Sequence, residues 1–165
     1  MANREAILLF GPTASGKSDT AKQIANEINS VIINADSLQV YKDLRVLTSR
    51  PTQDDEVLHP YKIYGHISGN IQYTVADWII EVSKEIENAF NQNLIPILVG
   101  GTGLYFKSLI DGLAKIPDID LNRIELTKKE FNKYGLSYLF NEIIKYNPAS
   151  TINENDVNRI IRAYN

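Results

Sequence analysis

The stretch Ala6–Asp19, AILLFGPTASGKSD, decides the fold of this chain. Its first half, Ala6–Phe10, is a short unbroken apolar run that ends at a glycine. A strand buried on both faces reads this way, because neither face alternates with polar residues. Its second half, Gly11-Pro12-Thr13-Ala14-Ser15-Gly16-Lys17-Ser18, matches G-x-x-x-x-G-K-[ST]. The glycines let the backbone curl until several N–H groups converge on phosphate oxygens. A helix predicted over Ser15–Asn29 begins here, and its N-terminus adds partial positive charge. Lys17 supplies a full charge at the phosphates, and the Ser18 hydroxyl is placed to ligate Mg²⁺. The loop specifies a phosphate chain and leaves the reaction open, ATP included.

Working outward, Ala21, Ile24, Ala25 and Ile28 recur at helical spacing and would face a sheet. Ser30–Asp36 (SVIINAD) reads as a second buried strand, and Tyr61–Ile67 as a third with weaker patterning. Thr74-Val75-Ala76-Asp77 has the form of a capping box. It opens a helix to about Asn91 whose apolar face carries Trp78, Val82, Ile86 and Ala89. Leu94–Gly101 is the next strand, followed directly by a helix over Gly103–Ile110. Strands alternating with helices predict an α/β fold with a mostly parallel sheet, P-loop NTPase-like, flanked by helices.

Near KIPDID, Lys115–Asp120, the texture changes. Beyond it only helices are predicted: Leu121–Lys133, Leu136–Tyr146, and one opening near Asn155. That last helix has barely begun when the chain stops at Asn165, so a cut C-terminus is expected.

The 165 residues suffice for a domain with a real core, at 44% apolar and 22% charged. Without cysteine the chain has no disulfide or thiolate metal site, which fits a reducing compartment. With no apolar run of ~18 residues and no signal peptide ahead of the first strand, a cytoplasmic protein is expected. The net charge of −3 does not advertise nucleic acid, so any RNA contact must rest on local positive charge.

Asp36 ends a strand, and in open α/β sheets that edge faces the ligand crevice. Three roles are open to it: holding Mg²⁺ through water, acting as a general base, or capping the next segment. Ser37 and Gln39 follow as hydrogen-bonding groups. Val99–Tyr105 (VGGTGLY) is a second glycine-rich strand-to-helix turn. It serves either close backbone approach to a ligand, with the Thr102 hydroxyl alongside, or tight strand–helix packing. His59 reads as a turn residue, His66 as a strand residue and Trp78 as core. Arg159 and Arg162 share a helix face, solvated or touching RNA phosphate. Arg123 has Lys128 and Lys129 nearby, with Glu125 and Glu130 interleaved.

Taken together, GPTASGKS, INADSLQVYKDL, HPYKIYGHI with YTVADW, LVGGTGLYFKSLIDGL and NENDVNRIIRA occur in this order. In that order they resemble the tRNA dimethylallyltransferase (tRNA isopentenylpyrophosphate transferase) family, over about Ile7 to Ala163. The resemblance implies transfer of a dimethylallyl group from dimethylallyl diphosphate to N6 of the adenine beside the anticodon, position 37 in tRNA numbering. Diphosphate is released and Mg²⁺ is used. It implies that Gly11 to Ser18 hold the donor diphosphate, with Thr13 and Ser15 to Ser18 lining the donor site. Lys17 would stabilise charge on the leaving group. Asp36 matches the family's catalytic aspartate and Thr102 a threonine at the reaction centre. Ser37, Leu38 and Gln39, with Asp36 and Thr102, match a tRNA-touching segment. Arg123 and Asn158-Arg159-Ile160-Ile161-Arg162 match further tRNA contacts. The target base would be flipped from the anticodon loop into a channel.

The implied division is a P-loop core over 1–114, a helical, tRNA-contacting insertion over 115–152, and the start of a returning core segment over 153–165. Arg45–Pro51 (RVLTSRP) departs from the family's usual DIGTAKP, with Leu47 in place of glycine. GHIS stands where a leucine–aspartate pattern is usual. Family members are roughly twice as long, and the missing half would supply the remaining core. An intact member is expected to be a monomer, and an exposed sheet edge would favour self-association. Three other readings share some of these features: an isopentenyltransferase acting on free adenine nucleotides, a P-loop small-molecule kinase, and a non-catalytic phosphate-binding remnant.

Overall fold

β4 (Ile95–Gly100) is the hub of the sheet. Its apolar residues pair in parallel with β1 (Ile7–Phe10) on one side and β2 (Ser30–Asn34) on the other. β3 (Tyr61–Lys62) adds to β2, giving the order β1-β4-β2-β3. This computed structural model describes residues 4–113 and 120–165. The chain forms two units, Met1–Ala114 and Lys115–Asn165. The change of texture seen in the sequence at Lys115–Asp120 lies, apart from Asp120, outside the described residues.

The sheet is covered on both faces, and the period-2 alternation of its strands sorts the core. Ile32, Ile97 and Val99 face α1 (Lys17–Glu27), which contributes Ala21 with Ile24 and Ala25, joined by Ile28 at its C-cap. Val31, Ile33 and Leu98 point the other way, toward α3 (Val75–Asn91) and α4 (Gly103–Asp111). There Trp78 is fully buried and stacked on Tyr105, with ring centroids 4.3 Å apart. Burial on both faces is why β2 and β4 read as continuous apolar runs. The α/β parallel fold expected from the sequence is the one observed.

Three local readings need correction. β1, expected to be buried on both faces, is covered on one: Ile7 and Leu9 pack on the core, while Leu8 and Phe10 are exposed because no further element covers that side of the edge strand among the described residues. The third strand is not Tyr61–Ile67 but two residues long. Ile63 and Gly65 take positive φ (63° and 53°) and turn the chain off the sheet, so His66 is not a strand residue. Ile67 returns only as an isolated bridge to Tyr41. The segment after β2 also holds α2 (Gln53–Leu58), which lacks the apolar periodicity that would announce a helix. Its start is fixed by a capping box, Thr52 with Asp55. The box expected at Thr74 and Asp77 is present: Asp77 N donates to Thr74 Oγ1 at 3.2 Å and Thr74 N to Asp77 Oδ2 at 2.8 Å.

The second unit contains α5 (Leu121–Tyr134), α6 (Leu136–Tyr146) and α7 (Val157–Tyr164). Leu139, Ile143 and Ile160 form its centre, with Phe131, Leu136 and Tyr164 packed around them. The segment 153–165 thus contributes its apolar face to the same small core as α6.

Candidate functional site

The register sets the site. Phe10 lies opposite Gly100, and Asn34 opposite Val99, so β1, β4 and β2 end level with one another. The loops that follow them, 11–16, 101–102 and 35–38, therefore leave the same edge of the sheet. In a parallel α/β sheet this carboxyl edge is the ligand crevice.

The loop after β1 curls through two left-handed residues, Ala14 (φ 62°) and Gly16 (φ 81°). Gly16 is the N-cap of α1, and no side chain caps the helix there. The first amides of α1 are left for an anion, as in a phosphate cradle. Lys17 folds back over the loop and donates to the Pro12 carbonyl and, at 3.3 Å, to Ser15 Oγ. A Cβ on Gly11 would sit 3.1 Å from Ser15 Oγ and 3.6 Å from Lys17 Cδ, so glycine leaves room for that path. Ser18 is exposed on the first turn of α1.

Asp36 is half-buried at the exit of β2. Its Oδ1 accepts the Leu38 amide at 2.9 Å, which fixes the carboxylate across the turn. Its Oδ2 points toward the other loops, 3.8 Å from where a Gly101 Cβ would be, and that same point is 3.3 Å from Gly11 O. One carboxylate oxygen is therefore structural, and the other faces the junction of the two glycine-rich loops. Thr102 closes the arrangement. Its Oγ1 accepts the Ser37 amide at 2.9 Å and donates to Ser37 Oγ at 3.3 Å, while its own N–H donates to Ala35 O at 3.3 Å.

Lys17, Asp36, Ser37 and Thr102 are thus brought to one crevice edge. Leu38 is exposed beside them. Gln39 turns inward and donates to the Thr48 carbonyl at 2.7 Å, holding the divergent loop over Arg45–Pro51. Arg50 in that loop occupies the space a Gly65 side chain would need, 1.5 Å from a Cβ built there. Tyr105, below the site, is pushed up to about 12 by burial first and then by Tyr41 and Asp36, so its hydroxyl stays protonated. His66 bonds Glu81 at 2.7 Å and His59 caps the end of α2.

In the second unit, Arg123 donates to the Tyr164 carbonyl at 3.1 Å and lies over the Tyr164 ring. Asn158, Arg159 and Arg162 are exposed on α7, with Arg159 3.3 Å from Asp156. Ile161 is half-buried. Ile160, expected among the RNA-facing residues, is fully buried against Leu139 and Ile143, so its side chain belongs to the core.

Three more residues shape the site: Asn34 escaped the sequence reading, Trp78 was read as core only, and Gly100 only as part of the glycine-rich turn. Asn34, buried at the end of β2, bonds Asp36 on both sides of its α-carbon. Trp78 donates its indole N–H to the Asn34 carbonyl at 2.9 Å. Gly100 passes so close to Ala35 that a Cβ would meet its carbonyl oxygen at 2.0 Å. The available signal was an Asn placed two residues before an Asp at the end of an apolar run.

A phosphate loop between a buried parallel strand and a helix, with a carboxylate at the end of a nearby strand, defines a P-loop α/β protein. Within that class, the IPP transferase family model matches residues 39–165, and the chain belongs to this family. It is 45% identical to a tRNA dimethylallyltransferase of Pelagibacter ubique (strain HTCC1062), over 96% of this chain and 51% of that protein. It is 37% identical to one of Bradyrhizobium sp. (strain ORS 278), over 99% of this chain and 54% of that protein. Its fold matches a eukaryotic dimethylallyltransferase crystallised acting on tRNA, with TM-score 0.83 and 25% identity over 97% of this chain and 40% of the other. It also matches the tRNA isopentenylpyrophosphate transferase of Bacillus halodurans, with TM-score 0.66 and 28% identity over 98% of this chain and 54% of the other. The chain spans about half the length of the curated relatives it matches.

Proposed function

We propose that this chain carries the donor-binding and proton-accepting groups of a tRNA dimethylallyltransferase. The observation that carries the reading is the placement of Asp36: Oδ1 is held by the Leu38 amide, and Oδ2, without a hydrogen-bond partner among the described residues, faces the junction of the phosphate loop and the Gly101 turn. Dimethylallyl diphosphate would lay its diphosphate on the loop over Gly11–Ser18. The allylic C–O bond breaks, and its electron pair leaves with the diphosphate. The loop amides and Lys17 stabilise that developing charge. The adenine N6 forms the new C–N bond. Its lone pair is delocalised and weakly nucleophilic, so it must shed its proton as the bond forms, and Asp36 Oδ2 takes it. Thr102 holds Ser37 and, through it, the segment that bears the base.

Among the described residues no cluster of three His, Cys, Asp or Glu could hold a metal. The Ser18 hydroxyl, a hard oxygen donor exposed on the first turn of α1, suits Mg²⁺ that takes its other ligands from phosphate and water. When bound, Mg²⁺ would supply further charge neutralisation at the diphosphate. Ser37, Leu38, Arg123, Asn158, Arg159 and Arg162 are the proposed tRNA-facing groups, and the proposed compartment is the cytoplasm. Among the described residues no helix is long and apolar enough to cross a membrane.

The test is transfer of label from dimethylallyl diphosphate, with Mg²⁺, to undermodified tRNA and AMP in competition. Label in tRNA is expected. Label in AMP instead would identify a free-nucleotide enzyme, and label in neither would exclude transfer by this chain. Asp36→Ala is expected to abolish transfer while diphosphate binding survives. Near-normal turnover in that variant would overturn the assignment of the base.

A further inference from the structure

We infer that Asn34 is a positioning residue for Asp36, acting as a surrogate strand for a residue that has left the sheet. The inference rests on the reading of Asp36 as the base. β2 ends at Asn34, and the last ladder-type bond beyond it is Ala35 N to Val99 O at 2.8 Å. Asp36 lies one residue further and has no strand partner. The Asn34 side chain takes that place: its Oδ1 accepts Asp36 N at 2.9 Å and its Nδ2 donates to Asp36 O at 2.9 Å. The peptide planes on both sides of the Asp36 α-carbon are thereby held by one amide group. With Oδ1 of Asp36 fixed by Leu38, the remaining oxygen has one direction to face.

Asn34 is itself well anchored. It is fully buried, its Nδ2 also donates to Ile63 O at 3.1 Å, and its backbone carbonyl accepts the Trp78 indole N–H. A buried amide is tolerated only when its donor and acceptor are both used. Asn is the short side chain that offers a donor and an acceptor in one plane, so it can grip an N–H and a C=O of the same residue. Ser or Thr could satisfy Ile63 alone, and an apolar residue could fill the space. What those residues cannot do is hold both sides of Asp36. Misplacing a reacting group by about 1 Å can cost ~100-fold in rate, which gives such a clamp its value.

The experiment is residue-resolved amide hydrogen exchange on the 165-residue chain, compared among wild type, Asn34→Ala, Asn34→Ser and Trp78→Phe. In the wild type the Asp36 amide is expected to exchange as slowly as Leu98 and Val99 in β4, although it lies beyond the ladder. Fast exchange there would overturn the inference without any variant. In Asn34→Ala, protection at Asp36 and Leu38 should fall at least tenfold more than at Leu98 and Val99, with diphosphate affinity within about twofold of wild type. Asn34→Ser, the milder change if the alanine variant does not fold, should fall between the two. Trp78→Phe should lower stability throughout without singling out Asp36. A uniform loss of protection in the Asn34 variants would reduce Asn34 to a core residue and overturn the inference. In the transfer assay, Asn34→Ser should lower kcat about tenfold or more at nearly constant KM for the donor. If Asp36→Ala left transfer intact, the base reading would fall while the exchange result still decided the clamp.

Discussion

A Cβ on Gly100 would stand 2.0 Å from the carbonyl oxygen of Ala35. No φ outside the ordinary range is involved, so the constraint is space alone. β4 and the exit of β2 are pressed together here, and that contact brings Thr102 within reach of Ser37. Gly100→Ala must push backbone against backbone. We expect a loss of about 1–3 kcal/mol, the usual cost of overpacking, and greater where the sheet cannot spread. Urea unfolding would measure it. Wild-type stability would mean that β2 and β4 separate freely at this edge.

Among the described residues Lys17 bonds only the loop that bears it, through Pro12 O and Ser15 Oγ. Its removal should therefore cost binding and not fold. Lys17→Met is expected to weaken diphosphate binding tenfold or more, since the bonds lost are charge-assisted, with the melting temperature within a few degrees of wild type. Titration calorimetry with inorganic pyrophosphate and a thermal melt would separate the two effects. Equal loss in both would show that the lysine is holding the loop.

What the sequence made legible follows the physics of each signal. The phosphate loop and the buried strands β2 and β4 were readable because glycine spacing and unbroken apolar runs are local properties, whereas the same kind of run in β1 does not reveal that it lies at an edge with Leu8 and Phe10 exposed. Asp36 and Thr102 could be placed at a crevice edge because they end or follow strands. Asn34 was not legible as a clamp, since its partners include Ile63, brought near only by the fold. The shortened β3 was missed for the opposite reason. Its residues have good strand propensity, and the turn at Ile63 is imposed by tertiary bonds from Gly65 and His66 to Gln39 and Val40. Ile160 sits in a motif read for its arginines, and only packing shows that it points inward.

Thr102 offers a prediction with two readouts. Its hydroxyl accepts the Ser37 amide, so Thr102→Val keeps the shape and leaves that N–H unpaired in a half-buried position. The expected cost is about 1 kcal/mol in stability. Transfer should fall further than stability does, because the Ser37 segment also carries Asp36. Thr102→Ser, which retains the hydroxyl, should recover most of the transfer. Failure of serine to rescue would assign the role of Thr102 to its methyl group.

β1 is an edge of the described sheet, and its side chains remain exposed, Leu8 at 40% and Phe10 at 61%. An uncovered apolar edge invites pairing with a second copy. Light scattering of the 165-residue chain should show concentration-dependent association, and Leu8→Lys should reduce it by placing a charge on that edge. A monodisperse monomer at high concentration would exclude this route.

Acid sensitivity follows from the two capping boxes. The Thr74 hydroxyl, then its amide, hold the Asp77 carboxyl below the ordinary value of 3.8. For Asp55 the Thr52 amide leads, followed by the Thr52 hydroxyl and Lys22. Each group binds its proton less readily in the folded state than in the unfolded chain. Its contribution to stability is therefore complete above about pH 4–5 and is lost as pH falls through the depressed folded value. Asp77 is exposed to water, so its effect is modest, while Asp55 is half-buried and its effect is the larger of the two. Melting temperature measured from pH 6 to pH 2.5 should fall less steeply for Asp77→Asn than for the wild type, with the curves converging at the acid end. Thr74→Ala should lose about 1 kcal/mol at neutral pH, as an N-cap does, and show the same shallower acid slope. If the variant and wild-type curves ran parallel across this range, the acid loss would have to come from carboxylates outside the caps.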